Sequence, residues 1–462
     1  MASKTKIYCL SESKGVGASS YLVDCGGDQI LIDCGLYQGK EYEKLNYDKF
    51  RFDPADLKAV LITHSHIDHT GRLPLLAKRG FSKKIYSTPP TKDFADLMLR
   101  DTQGLLADDA EKNREEELYS AADIDKSMSL WETVEYHKEV EISPKFSFAF
   151  YNAGHVLGSC IILLKIKTSP KKEIRVIFSG DLGNPQNQLL PEMEELSEGD
   201  YCFVESTYGN RLHENLDQRK NLLEDTIEEA VMNKGVLMIP TFAMERTQEL
   251  LFELNELVEN KRIQQIPIFI DSPLAIKLTE VYQKYLTYFR LDAFKSVSNA
   301  SDNFFDFPGL KFTMSSEESK AIATVLPPKL VMAGSGSSQG GRILHHEKNY
   351  LPDPNNILLI VGYQMAGTLG RKLVDGEKVV NIYGEKVSVN AKVKEISAYS
   401  AHADQSMLLG WIKPMRFTLK KVFVVHGDPE AREVLSSKIR DLFGLLTESP
   451  DHDSIIELDD SN

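Results

Sequence analysis

The sequence predicts an α/β protein in which one domain is interrupted by another. Three observations carry this reading. Seven short apolar runs each stop at, or just before, a residue able to bind a metal or carry a proton. The middle third alternates strand-like and helix-like stretches that lack such endings. After that block the endings resume.

Taken in chain order, the run 29–32 ends at Asp33, 58–62 leads into Thr63 and His64, 146–151 ends before Gly154 and His155, and 174–178 ends at Ser179, Gly180 and Asp181. The run 201–204 ends at Glu205, 393–398 precedes Ser400, Ala401 and His402, and 421–425 ends at His426. Short β-rich runs bounded by small residues read as buried strands. Layered α/β folds place functional side chains at strand C-termini. In the middle block, 235–240, 266–271, 329–333 and 356–362 are strand-like, and 247–259 and 273–288 are helix-like. That alternation argues for a parallel sheet covered by helices. The expected division is 1–207 and 386–462 for the split domain, with 208–385 inserted. Residues 100–140, helix-prone over 108–117, read as an excursion from the first domain, and the acidic tail beyond Leu446 as loosely ordered.

A length of 462 residues fits roughly two to three domains. With 42% hydrophobic and 26% charged residues, the composition is that of a globular protein without a bilayer-spanning run. Residues 1–20 lack an apolar signal-peptide core. The five cysteines have no Cys-x-x-Cys spacing, which fits a reducing, cytoplasmic setting and leaves metal binding to histidine and carboxylate. A formal charge of −14 excludes a general polyanion binder. Any anionic substrate must then be attracted locally, and Lys83-Lys84, Lys171-Lys172, Arg371-Lys372 and Lys420-Lys421 read first as solvated surface cations.

Residues 64–69 read His-Ser-His-Ile-Asp-His, so three of the eleven histidines fall within six residues. Packing explains one histidine in such a place, but not three. Zinc accepts imidazole nitrogen and carboxylate oxygen, and catalytic sites keep a position open for water. On a tight turn His64 and His66 can face one ion while Asp68 and His69 face another. The strand ends supply His155, Asp181 and His426, with Asp181 the natural shared ligand. Two ions about 3.5–4 Å apart acidify a bridging water and clamp an oxyanion, which is chemistry for hydrolysing an ester, amide or phosphodiester.

These residues resemble the metallo-β-lactamase superfamily, whose signature is His-x-His-x-Asp-His followed by a distant His, Asp and His. The inserted block, framed by Glu205-Ser206-Thr207-Tyr208-Gly209 and by Ser400-Ala401-His402 and Val425-His426-Gly427, resembles that of the β-CASP subgroup. The subgroup includes the endonuclease of the eukaryotic cleavage and polyadenylation machinery and its bacterial and archaeal relatives. Ala153 to Ser159, Asp271 to Ala275 and the Gly-rich 334–342 agree with it, so the match covers nearly the whole chain. The resemblance implies a metallo-β-lactamase αββα sandwich with an inserted β-CASP domain, and RNA hydrolysis in the cleft between the two domains. It implies two Zn2+ ions, one held by His64, His66, His155 and Asp181, the other by Asp68, His69, Asp181 and His426. Asp33 would orient the histidine cluster. A metal-bridging hydroxide would attack, and His402, oriented by Glu205, would act as general acid; Asp68 joins them in the catalytic set. Histidine at 426, where DNA-directed members tend to carry an aliphatic residue, favours RNA as the partner. A homodimer is a further candidate partnership. No terminal RNA-binding domain of the archaeal kind is expected, which leaves any sequence preference to the cleft.

Weaker signals have plainer readings. The loop 334–341 could clamp a substrate backbone through Ser337, Gly340, Gly341 and Arg342. His345 and His346 read as surface residues, and His137, His213 and His452 as having no role. Tyr208 and Tyr399 could stack a base or pack against the site. Glu245 stands where many relatives have glycine and carries no expected chemistry. The competing functions are a hydrolase of a small ester, thioester or lactam, and a non-catalytic scaffold. The inserted domain with Glu205 and His402 argues against the first, and the complete ligand set against the second.

Overall fold

The computed structural model describes residues 4–10, 17–38, 42–185, 187–213, 219–290, 305–362, 364, 367–396 and 399–459. Ser397 and Ala398, the end of one expected strand, lie outside that set. Two compact units emerge: Met1–Pro185, Glu192–Leu212 and His402–Asn462 form the first, and Gln186–Pro191 with His213–Ala401 the second.

The chain enters the first unit with β1 (Thr5–Cys9), β2 (Tyr21–Cys25), β3 (Asp28–Ile32), β4 (Leu57–Leu61), β5 (Lys84–Ser87), β6 (Trp131–Thr133), β7 (Val140–Ser143), β8 (Phe146–Asn152), β9 (Cys160–Ser169), β10 (Lys172–Phe178) and β11 (Tyr201–Val204). It builds the second unit from β12 (Val236–Pro240), β13 (Ile268–Ile270), β14 (Leu310–Phe312), β15 (Lys329–Ala333), β16 (Ile357–Ile360), β17 (Val379–Ile382), β18 (Glu385–Ser388) and β19 (Lys392–Glu395). It then returns to the first with β20 (Lys421–Val424), β21 (Leu446–Glu448) and β22 (Ile455–Leu458).

The first unit is two seven-stranded sheets, ordered β22-β1-β2-β3-β4-β5-β6 and β21-β20-β11-β10-β9-β8-β7. The period-2 alternation of a strand sorts its side chains between two layers. On β3, Ile30 and Ile32 join the core between the sheets while Leu31 faces the outer core with Leu73, Leu76 and Ala95. On β11, Tyr201 and Phe203 point inward, while Cys202 and Val204 meet Leu408, Trp411, Leu435 and Ile439 of the outer helices. The unit is therefore helix, sheet, sheet, helix. Parallel pairing aligns the functional ends: Ile32 lies opposite Leu61, Phe178 opposite Phe203, and Val204 opposite Val424.

The second unit has a six-stranded parallel sheet, β14-β13-β15-β12-β16-β19, with helices including Arg219–Met232, Arg246–Glu259 and Ile343–Tyr350, and a separate hairpin β17-β18. β19 pairs with β16, Lys392 opposite Ile357. β19, which leads toward His402, thus packs within the second compact unit, whose residues run to Ala401.

Two expectations are corrected. The acidic tail contributes two strands over its described residues: β21 pairs with β20, and β22 pairs antiparallel with β1, burying Ile456 and Leu458. The helix-prone 108–117 ends earlier, where Pro89–Asn113 stops at the left-handed Arg114. Among the described residues no helix is long and apolar enough to cross a membrane.

Candidate metal centre

Six strand ends of the first unit meet at one edge. β4 leads through Thr63 into the turn 64–66 and the short helix Ile67–Thr70, which carries Asp68 and His69. β8 leads to His155, β10 to Asp181, β11 to Glu205, β20 to His426, and β3 to Asp33. His402 follows no strand of this unit. It is held instead by a bridge to Gly183 and by Ala403 N–H donating to Leu182 O at 2.8 Å. Gly183 cannot carry a side chain, because a Cβ there would sit 1.8 Å from the Gly154 carbonyl oxygen.

The ligand-type atoms form two groups, His64, His66, His155 and Asp181, and Asp68, His69 and His426. In the first, His66 Nδ1 is 3.0 Å from His64 Nε2 and 3.3 Å from His155 Nε2. Asp181 faces both. Its Oδ2 lies 3.5 Å from His64 Nε2 and 3.6 Å from His155 Nε2, and its Oδ1 lies 3.4 Å from His69 Nε2 and 3.5 Å from His426 Nε2. Asp68 Oδ2 is 3.9 Å from His69 Nε2 and 3.8 Å from His426 Nε2. Donors about 2.0–2.1 Å from a tetrahedral zinc are about 3.3 Å apart, so these spacings suit such an ion. A second observation agrees. His69 Nε2, Asp181 Oδ1 and His426 Nε2 are buried without a hydrogen-bond partner among the described residues. Buried polar atoms are normally paired, and a cation would satisfy all three.

The far sides of the rings are tied down. Asp33 Oδ2 takes His69 Nδ1 at 2.7 Å and the Thr63 hydroxyl at 2.8 Å, while Oδ1 accepts Thr63 N–H at 2.8 Å. Thr63 Oγ1 is 3.1 Å from His64 Nδ1, and Ser19 Oγ is 3.1 Å from His426 Nδ1. Partners of this kind fix the tautomer and aim the other nitrogen inward. Sequence reasoning found Asp33 but missed Ser19 and Thr63. A hydroxyl carries no ligand signature, and the one available hint was Thr63's place next to His64.

The electrostatics are polarised. Burial, reinforced by His69, holds the His64 imidazole well below its usual range, and burial pushes His66 down to about 4. Burial acts the same way on His69, but Asp181 and Asp33 outweigh it and its pKa is raised well above the usual value. For Asp181, burial opposes ionisation while His426, His69 and His64 overcome it, so the carboxyl stays charged.

Beside this centre stands a second pair. His402 Nδ1 lies 3.2 Å from Glu205 Oε1, whose carboxylate also accepts Leu182 N–H at 2.7 Å and Thr207 N–H at 3.1 Å. Burial lowers the imidazole's pKa, but Glu205 outweighs it and the value is pushed up to about 9. The His402 ring is 4.5 Å from that of His155.

The expected substrate loop lies in the second unit, after β15. Ser337 is buried, and Gly340 has open space where a Cβ would be. The Arg342 guanidinium is committed to Asp271 Oδ1 at 2.7 Å and to the carbonyls of Thr313 and Met314. His346 is not a surface residue: it is buried with Nε2 2.8 Å from Asp271 Oδ2, while His345 is exposed. Tyr399 is fully buried and cannot stack a base. Its hydroxyl donates to Glu253, and the Arg219 guanidinium lies 4.5 Å from its ring centre. Glu245 is buried too, accepting from Asn187 Nδ2 at 2.5 Å. Lys84, Arg371 and Lys421 each meet a carboxylate, Glu132, Asp375 and Glu448.

Three family models match the chain: the metallo-beta-lactamase superfamily over residues 14–192, the Beta-Casp domain over 247–373, and a Zn-dependent metallo-hydrolase RNA specificity domain over 386–449. A ribonuclease of Thermus thermophilus is 34% identical over 92% of this chain and 94% of its own. An RNase J-like protein of Methanocaldococcus jannaschii is 31% identical over 89% of this chain and 90% of its own. A transcription termination factor, FttA, of Methanosarcina mazei is 29% identical over 94% of this chain and 68% of its own. Among solved structures, a protein of unknown function from Enterococcus faecalis shares the fold, with a TM-score of 0.59 at 11% identity over 98% of this chain and 100% of that one.

Proposed function

The chain belongs to the metallo-β-lactamase superfamily, in its β-CASP branch, and from that premise we propose that it is a ribonuclease, a two-zinc phosphodiesterase that hydrolyses RNA. The observation that carries the reading is the Glu205–His402 pair beside the histidine and aspartate cluster. The names of the Thermus and Methanocaldococcus relatives support the substrate class.

Zinc ions held by His64, His66, His155, Asp181, Asp68, His69 and His426 would supply Lewis acidity and an acidified water. The chain's own residues do the rest. Asp181, with one oxygen toward each group, keeps the two positions at a fixed separation. Asp33, Thr63 and Ser19 hold three rings in orientations that present the other nitrogen inward. Asp68, with 16% of its side chain exposed, is the most open carboxylate of the set and can take a proton from the attacking water. Glu205, 3.2 Å from His402 Nδ1, favours the imidazolium form of that ring, so His402 can hold a proton and deliver it to the leaving oxygen.

The test is end-labelled RNA, linear and circular, incubated with wild type, His402→Ala and Asp181→Ala. Wild type is expected to cleave the linear RNA, and cleavage of the circle identifies endonuclease action. His402→Ala should lower kcat by about 10²–10⁴-fold with metal content retained, whereas Asp181→Ala should lose metal and activity together. Undiminished cleavage by both variants removes the site assignment. Turnover of a thioester by wild type, with no RNA cleaved, favours the small-substrate hydrolase instead.

A further inference from the structure

Bulk electrostatics oppose the proposed reaction. The formal charge is −14, the centre is built from imidazoles and carboxylates, and RNA is a polyanion whose binding depends on local cations. The segment after Glu205 brings one close to the site. It turns tightly, with Gly209 N–H donating to Ser206 O at 2.9 Å and Arg211 N–H to Tyr208 O at 3.2 Å. That turn is strapped to the segment carrying His402. Tyr208 bridges Asp404, Gln405 N–H donates to Arg211 O at 3.1 Å, and Gln405 Nε2 donates to Gly209 O at 2.6 Å. Asp404 in turn caps the helix Gln405–Ile412 by accepting Met407 N–H at 3.0 Å. The half-buried Tyr208 ring lies 6.3 Å from the His402 ring, and the guanidinium carbon of exposed Arg211 lies 5.4 Å from the Tyr208 ring centre. The proton donor, an aromatic ring and an arginine therefore follow one another outward from the centre, all within the first unit.

We propose that Arg211, held against Tyr208, binds a backbone phosphate of single-stranded RNA on the leaving-group side of the scissile bond. The side follows from His402, which protonates the leaving oxygen. The proposal rests on the ribonuclease reading above. A planar guanidinium suits it, since the fork grips phosphate in two places while its face rests on an aromatic ring.

The experiment measures kcat and KM on a short single-stranded RNA between 50 and 200 mM salt. It compares wild type with Arg211→Ala, Arg211→Gln and Arg211→Lys, with bis(p-nitrophenyl) phosphate, which has no second phosphate, as the reference substrate. Losing one phosphate contact on a single strand should flatten the slope of log(kcat/KM) against log salt by about 0.7. KM for RNA should rise about tenfold or more. The loss on RNA should exceed that on the reference substrate by tenfold or more. Arg211→Gln keeps a planar polar group and should behave like Arg211→Ala, and Arg211→Lys should fall between, keeping charge but not the fork. Tyr208→Leu should shift the slope in the same direction. An unchanged slope, or equal losses on both substrates, overturns the proposal. Wild type that turns over the reference substrate but no RNA overturns the ribonuclease reading instead, a result visible before any variant is made.

Discussion

Asp33 and His426 share a backbone conformation that side chains rarely adopt, with φ of 57° and 48°. Such residues cost of order 1–3 kcal/mol each and persist where surroundings over-determine them. Here Asp33 is pinned by three hydrogen bonds and His426 by Ser19. The titratable members of the centre were legible because histidine is scarce, eleven in 462 residues, and three of the eleven stand beside Asp68 within residues 64–69. His346 and Tyr399 were not, since each is buried by a partner far along the chain, Asp271 at 75 residues and Glu253 at 146. Glu347 was equally hidden. It is buried on the helix Ile343–Tyr350 with one oxygen accepting from Ser338 at 2.5 Å, and burial pushes its pKa up to about 7. Because the folded value lies above the unfolded one, the unfolded chain binds fewer protons between about pH 4.5 and 7. Stability associated with this group is therefore full at acid pH and lost as pH rises through about 7. Glu347→Gln, neutral in both states, should gain on the order of 2 kcal/mol relative to wild type between pH 5 and 8. Urea unfolding at each pH reads this directly, and a pH-independent difference contradicts it.

Individual strands were easier to read than their partners. β3, β4, β10, β11 and β20 follow from apolar runs with defined ends. β19 reads as a strand, but its parallel pairing with β16 depends on residues outside the local window. β22 is the sharper case. Its acidic neighbours suggest a loose tail, and what orders it is an antiparallel match of Tyr8 with Ile455 through Thr5 with Leu458, across almost the whole sequence. Ile456 and Leu458 are each 6% exposed, and removing them uncovers Ile7 and the core between the sheets. Deleting 455–462 should thus cost about 3–5 kcal/mol. This is read as a lower urea midpoint. An unaltered midpoint would mean the strand adds nothing to the first unit.

At the scale of the molecule, the split organisation was legible because chemistry-bearing strand ends stop and then resume, whereas the placing of β19 in the second unit's sheet was not, being set by its pairing with β16. Each unit has its own core: the second is centred on Val236, Val331, Ile343 and Leu358, and the first on the layers between and outside its two sheets. Units with separate cores can unfold separately, and every residue of the metal centre belongs to the first. Calorimetry should therefore resolve two transitions. Chelation should lower the first unit's by about 5–10 °C and leave the second's in place, and zinc should restore it. Equal movement of both, or of neither, goes against this. The same split has a consequence for synthesis. On the ribosome, His64 to Asp181 emerge early, the long stretch His213–Ala401 that makes up nearly all of the second unit follows and can fold as a block, and His402 and His426 come out afterwards. Until they do, the nascent chain holds the histidine cluster and the bridging aspartate without the proton donor or the last ligand, so the centre cannot be completed while most of the protein is still being made.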